Sequence, residues 1–226
     1  MADDSNIIDH VEPEPQGSGF RSALKFVLLA GCIALVASAI AVMARRRMYS
    51  GMNKDDCQNN LRMIGVAVQV YWQDHHQYPG DLQTVFQTGM LNPPTFTCPS
   101  SSDVLPADSV IGARGTCSYV YVGGSFGKEA QVDSVIALED PANHDLDGGN
   151  VLYGDGHVEW VTLQNVVQIM NDLQQGMNPP SSNTSLTAKQ AAKIYEAKWK
   201  ALMPQMKSGV WRIPAAIPTM QAAQNP

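Results

Sequence analysis

Charge is scarce in this chain. Asp, Glu, Lys and Arg together make up 16% of its 226 residues, and the formal balance is -6. Binding a phosphate backbone needs a basic face, so this balance argues against a nucleic-acid partner. No Gly-x-Ser-x-Gly, phosphate-binding loop or Cys-x-x-Cys occurs, and no nucleophile stands beside a base, so nothing announces an enzyme. Cysteine is limited to four residues. Cys32 falls within an apolar run, and Cys57 has no evident partner. Cys98 and Cys117 bracket a loop; they form a candidate disulfide if their domain is exported, and two reduced, buried thiols otherwise.

What the chain does have is one long apolar stretch. Residues 26–43 carry no charge and are numerous enough to cross most of a bilayer core. Lys25 bounds them on one side and Arg45, Arg46 and Arg47 on the other. Residues 20–47 therefore read as a transmembrane anchor that meets lipid through 26–43, behind an acidic segment, 1–19, expected to be disordered. The same run offers a small-x-small signal-peptide site at Ala37-Ser38-Ala39 and a lipobox-like Leu29-Ala30-Gly31-Cys32. Apolar residues continue past both sites, which favours the anchor. Basic flanks alone would keep the main domain in the cytoplasm, whereas a Cys98–Cys117 bridge would place it outside.

Beyond the anchor, the patterns predict a small α+β domain over 48–175 and a linker, basic helix and proline-containing tail over 176–226. Leu61, Ile64, Val68 and Trp72 share one helical stripe that ends at Tyr78-Pro79-Gly80, so anchor and amphipathic segment read as one spine. A short helix is expected over 81–91 and strands over 118–122, 134–138, 150–153 and 157–161, the last two flanking a hairpin at Gly154-Asp155-Gly156. A helix over 163–173 follows. In the last helix, capped by Thr187 with Gln190, a stripe of Ala191, Tyr195, Trp199, Leu202 and Met206 faces inward. Its lysines, at 189, 193, 198, 200 and 207, read either as a solvated face or as a docking surface for an acidic partner or lipid headgroups.

With these residues placed, the chain resembles bacterial type IV pilin-like proteins. It is most similar to those with a prepilin-type anchor and a processing-associated His-x-Asp-Gly domain, and more distantly resembles the major pseudopilin of type II secretion. Four segments carry the resemblance: Gly19-Phe20 ahead of the apolar run, as at a prepilin cleavage site; Cys57-Gln58-Asn59-Asn60-Leu61; Cys98-Pro99 with Ser118-Tyr119; and Glu139-Asp140-Pro141 with His144 and Asp155-Gly156-His157. The resemblance implies a non-enzymatic, inner-membrane, single-pass protein with a periplasmic domain. It would pack with like subunits or with components of a secretion or pilus-like system. Leu24 stands where pilins carry the glutamate that pairs with a neighbouring subunit's terminal amine, which supports an alternative: a monomeric anchored binding domain that never polymerises.

A polar cluster supplies the remaining candidates. Asp145, Asp147 and Asn150, spaced around glycines, resemble part of a calcium loop, since hard oxygen ligands need close spacing and a sharply turning backbone. The related major pseudopilins hold calcium, so calcium is the one candidate cofactor. A metal-dependent enzyme using His144, Asp155 and His157 is the remaining alternative, because imidazole and carboxylate are suitable ligands. The competing account of Asp155 is a hairpin residue that bonds its own turn.

Overall fold

The computed structural model describes residues 17–104, 110–111, 116–126 and 130–208; for 17–24, 26–28, 30 and 45–52 it describes the backbone alone. Of the segment expected to be disordered, 1–19, residues 1–16 lie outside this set, as do 209–226 of the proline-containing tail, whereas 17–19 are helical. The chain divides into two units, Met1–Met48 and Tyr49–Pro226.

The spine is one helix, α1, Gly17–His75. In the first unit the apolar side chains of Leu29, Ile33, Leu35, Val36, Ile40, Val42 and Met43 are all more than half exposed. Among the described residues, no helix is long and apolar enough to cross a membrane; residues 26–28 and 30 of the apolar run have no described side chains. The helix stops where His76 takes a left-handed φ of 54°, ahead of Pro79.

In the second unit, a four-stranded antiparallel sheet has the order β1-β2-β3-β4, with β1 Tyr119–Tyr121, β2 Val135–Glu139, β3 Gly148–Tyr153 and β4 Val158–Thr162. Both faces are covered, so β1, β2 and most of β3 are buried on both sides, whereas β4, at the edge of the sheet, buries Val158 and Val161 and exposes Glu159 and Thr162. On one face, Leu61, Ile64, Ala67 and Val68 of α1 pack with Tyr119, Tyr121, Ala137, Leu152 and Val158. Gly65 permits the close approach: a methyl group there would stand 2.8 Å from Leu152 Cδ1. On the other face, Val120, Leu138, Val151 and Val161 meet α3, Leu163–Gln174, and the C-terminal helix. The α+β class and the packing of the Leu61–Ile64–Val68 stripe on the sheet are as the sequence predicts.

Three elements differ from expectation. The helix expected over 81–91 is shorter: α2 covers Leu82–Gln87, capped by Asp81, whose carboxylate accepts from the Thr84 amide. Strand β3 starts earlier than its β-formers, at Gly148, because Gly148 and Gly149 pair with Thr162 and Val161. Glycine is required there, since a Cβ on Gly148 would lie 2.1 Å from the Val161 carbonyl oxygen. Finally, the last helix has three parts: α4, Ala188–Ile194, a π-helical turn, Tyr195–Trp199, and α5, Lys200–Lys207. Its buried stripe is Ala191, Tyr195, Trp199, Met203 and Met206, with Leu202 only partly covered. Successive steps of four residues overshoot a 3.6-residue turn by about 0.4 residue each, and the wider π turn absorbs that drift. The predicted Thr187–Gln190 capping box is present.

Candidate metal centre

Four buried side chains from four separate places in the chain converge beneath the first half of β3. Cys57 comes from α1, Cys98 from the residues following a 3-10 turn at Pro93–Phe96, Glu139 from the end of β2, and His144 from the 3-10 turn Pro141–His144. Each is held by local chemistry. Asn60 Nδ2 donates to the Thr97 carbonyl (3.1 Å), tying α1 to the strip that presents Cys98. The Cys98 amide donates to Ser118 Oγ at 2.8 Å. Asp140 caps the turn carrying His144 by accepting from the Ala142 amide at 3.0 Å; it also accepts from the Tyr195 hydroxyl and pairs with Lys207 at 3.7 Å.

One ligand-type atom from each of Cys57, Cys98, Glu139 and His144 lies within 4.8 Å of all the others. His144 Nε2 is 3.0 Å from Glu139 Oε1 and 3.7 Å from Cys98 Sγ, and Cys57 Sγ lies within 4.8 Å of the other three. The surroundings orient these groups further. Asn150 donates Nδ2 to Glu139 Oε2 at 2.9 Å, and the Ser100 amide donates to Cys98 Sγ at 3.4 Å. The Trp160 and His144 rings meet at a steep angle with centroids 5.2 Å apart, and Lys54 Nζ covers Trp160 at 4.1 Å from its centroid. His144 Nδ1 is buried and has no hydrogen-bond partner among the described residues.

The electrostatics follow from this crowding. Burial pushes the Glu139 carboxyl up, but the hydrogen bond and charge of His144 and the two thiols outweigh it and hold it below the usual carboxylate range. Cys98 is lowered to about 7, chiefly by the hydrogen bond from Cys57, against the opposing effect of burial. Cys57 is correspondingly raised, by that same bond and by burial. Burial acts to lower His144, yet the Cys98 and Glu139 hydrogen bonds raise it to about 9. Cys98 is thus the first of the two sulfurs to become a thiolate, the form that acts as a metal ligand.

The other sequence candidates fall elsewhere. Cys98 and Cys117 are free thiols with different neighbours, since Cys117 Sγ donates to the Tyr119 carbonyl at 3.4 Å; the sulfur beside Cys98 is that of Cys57. Asp145, Asp147 and Asn150 have separate partners instead of curling around one point. Asp147 pairs with Lys54 at 3.3 Å, Asn150 is fixed on the β3–β4 ladder facing Glu139, and Asp145 is exposed in the left-handed conformation. Asp155 and His157 sit exposed at the β3–β4 turn, where Asp155 Oδ1 accepts from the His157 amide at 2.9 Å and meets its Nδ1 at 2.5 Å. Gly156 supplies a φ of 89° there. His157 also borders a groove of about 450 Å³ with Asp133, Tyr153 and Glu159, whereas His144 belongs to the buried cluster. Asn59 is exposed and Leu61 is in the core; Gly19 and Phe20 lie in the first turns of α1 without described side chains.

Of the lysines on the last helix, Lys198 donates to Asn171 Oδ1 at 3.1 Å and Lys207 pairs with Asp103 at 3.0 Å, so both serve the domain itself. Comparison with protein-family models, with curated proteins and with solved structures returns no match.

Proposed function

We propose that the chain is a non-enzymatic, pilin-like membrane protein: a single-pass anchor in the inner membrane carrying a periplasmic domain that presents loops to partners in a secretion or pilus-like system. One observation supports this reading above the rest. The helix whose apolar stripe at Leu61, Ile64 and Val68 is buried under the sheet is also the helix that bears a run of exposed apolar side chains from Leu29 to Met43. Exposed leucine, isoleucine and valine at that density call for an apolar partner, and a lipid core or a bundle of like helices provides one. The resemblance at Cys57-Gln58-Asn59-Asn60-Leu61 and at Asp155-Gly156-His157 is what favours this family and this orientation.

Fractionation of cells making the full chain tests the anchor. The protein should stay with inner membranes through alkaline carbonate extraction and lose that property when residues 20–47 are removed. Recovery of the intact chain in the soluble fraction would refute the reading. N-terminal sequencing then separates its forms: a start at Phe20 indicates prepilin processing, a start at Met1 or Ala2 an uncleaved anchor. In-cell crosslinking distinguishes a filament subunit, which gives ladders of like chains, from the monomeric anchored domain that Leu24 favours.

A further inference from the structure

We propose that Cys57, Cys98, Glu139 and His144 form a closed, structural zinc site that clasps α1 to the sheet. The donor set is the first argument. Two thiolates, an imidazole and a carboxylate are the ligands that borderline-soft Zn²⁺ takes in four-coordinate sites, whereas calcium and magnesium prefer oxygen throughout. The second argument is geometric. Zinc bonds of about 2.0–2.3 Å in a tetrahedron place neighbouring ligand atoms about 3.3–3.8 Å apart. The observed 3.0 Å between His144 Nε2 and Glu139 Oε1 and 3.7 Å between His144 Nε2 and Cys98 Sγ lie close to that range, and no pair in the cluster exceeds 4.8 Å. Small side-chain adjustments close the shell.

The third argument is burial. Cys57 and Glu139 are 0% exposed, Cys98 2% and His144 4%. An apolar core seldom takes a carboxylate and two sulfurs in contact, because each ionised form is penalised by the others and by loss of water. A divalent cation at their centre removes that repulsion. The outer contacts fit as well. Asn150 orients the Glu139 carboxylate through Oε2, leaving Oε1 directed at the cluster, and the Ser100 amide donates to the Cys98 sulfur, as outer-shell donors do for metal-bound thiolates.

Four protein ligands leave no open coordination position, so the site is structural and not catalytic. Its effect is mechanical: Cys57 belongs to the spine helix, whereas the other three ligands belong to the sheet, the turn after it and the strip that Ser118 supports. This inference stands apart from the membrane reading, because metal content is measured on the purified chain wherever it resides in the cell.

The test uses the full-length protein, purified anaerobically without added reductant. Elemental analysis and native mass spectrometry should find one zinc per chain. After chelation, titration with Co²⁺ alone should produce the thiolate-to-metal charge-transfer band and the d–d absorption of a tetrahedral site, saturating at one equivalent. Cys57→Ser and Cys98→Ser should each abolish the charge-transfer signature or bind cobalt at least tenfold more weakly, and Cys117→Ser, at a buried thiol outside the cluster, should retain it. The wild-type cobalt spectrum decides the matter even where a variant misfolds. Absence of both zinc and a charge-transfer band in the wild-type protein would overturn the proposal. So would an intact mass two hydrogens lighter with a Cys57–Cys98 disulfide peptide, since the two sulfurs would then be bonded to one another.

Discussion

Single side chains repair the irregular places in this fold. Strand β2 slips register between Val135 and Ala137, leaving the Val135 backbone groups in need of partners. Asn178 supplies both: its Oδ1 accepts from the Val135 amide at 2.8 Å, and its Nδ2 donates to the Val135 carbonyl at 3.0 Å. Val135 is fully buried, so Asn178→Ala strands a donor and an acceptor, and stability should fall by about 1–3 kcal/mol. Urea titration checks this, and an unchanged midpoint would show that water reaches the strand end. At this scale little was legible beforehand. Asn178 reads as one more linker residue beside Pro179. Glu139 and His144 stand in recognisable motifs, yet nothing in their spacing shows that they meet Cys57 and Cys98. Long-range convergence leaves no local periodicity, whereas the Asp155-Gly156 turn, a strictly local arrangement, is plain in the sequence.

Elements were more legible, and the reasons for the misses are physical. Strand β3 hides because glycine is depleted in strands, yet Gly148 and Gly149 are there for close approach to β4 and to the Glu139 carbonyl. The π turn hides because a stripe that steps by three from Trp199 to Leu202 fits a plain helix, whereas Met203, four residues on, is the side chain found inside. The α1–sheet contact makes a prediction of its own. A Cβ at Gly65 meets the end of the Leu152 side chain at 2.8 Å, and Leu152 is itself fully buried. Gly65→Val adds branched bulk that the leucine tip has no room to avoid, and should cost about 1–3 kcal/mol despite the loss of a helix-weakening glycine. Gly65→Ala should be milder, because its helix-propensity gain of about 1 kcal/mol offsets part of the clash. Thermal melts of the two variants check the order; a Val variant as stable as wild type would mean that the helix stands off the sheet. At Gly154 the obstacle is backbone, the Gln131 carbonyl oxygen at 2.1 Å from a Cβ, so Gly154→Ala should be more damaging than Gly65→Ala in the same melts.

For the molecule as a whole, the decisive feature is a sheet with a hydrophobic cluster on each side, one supplied by α1 and the other by α3 and the C-terminal helix. Neither cluster is self-sufficient, because every strand contributes to both. Ile64 and Trp199 are each fully buried, one in each cluster. Ile64→Ala should cost about 2–5 kcal/mol and Trp199→Ala about 3–5 kcal/mol, through lost burial and the cavity left behind. If residues 49–226 unfold as one cooperative unit, each substitution lowers the same transition. Far-ultraviolet circular dichroism and tryptophan fluorescence should then stay coincident in both variants, although the fluorescence probe itself changes in Trp199→Ala. The two sites share no contact within a cluster, so the double variant should lose the sum of the two single effects to within about 0.5 kcal/mol. Two separated transitions would show instead that α1 leaves the sheet while the opposite cluster persists. A zinc clasp at Cys57 opposes that outcome directly, since it fastens α1 to the same sheet from which Ile64→Ala would loosen it. Separation of the transitions after chelation, but not before, would therefore assign the cooperativity to the metal rather than to packing alone.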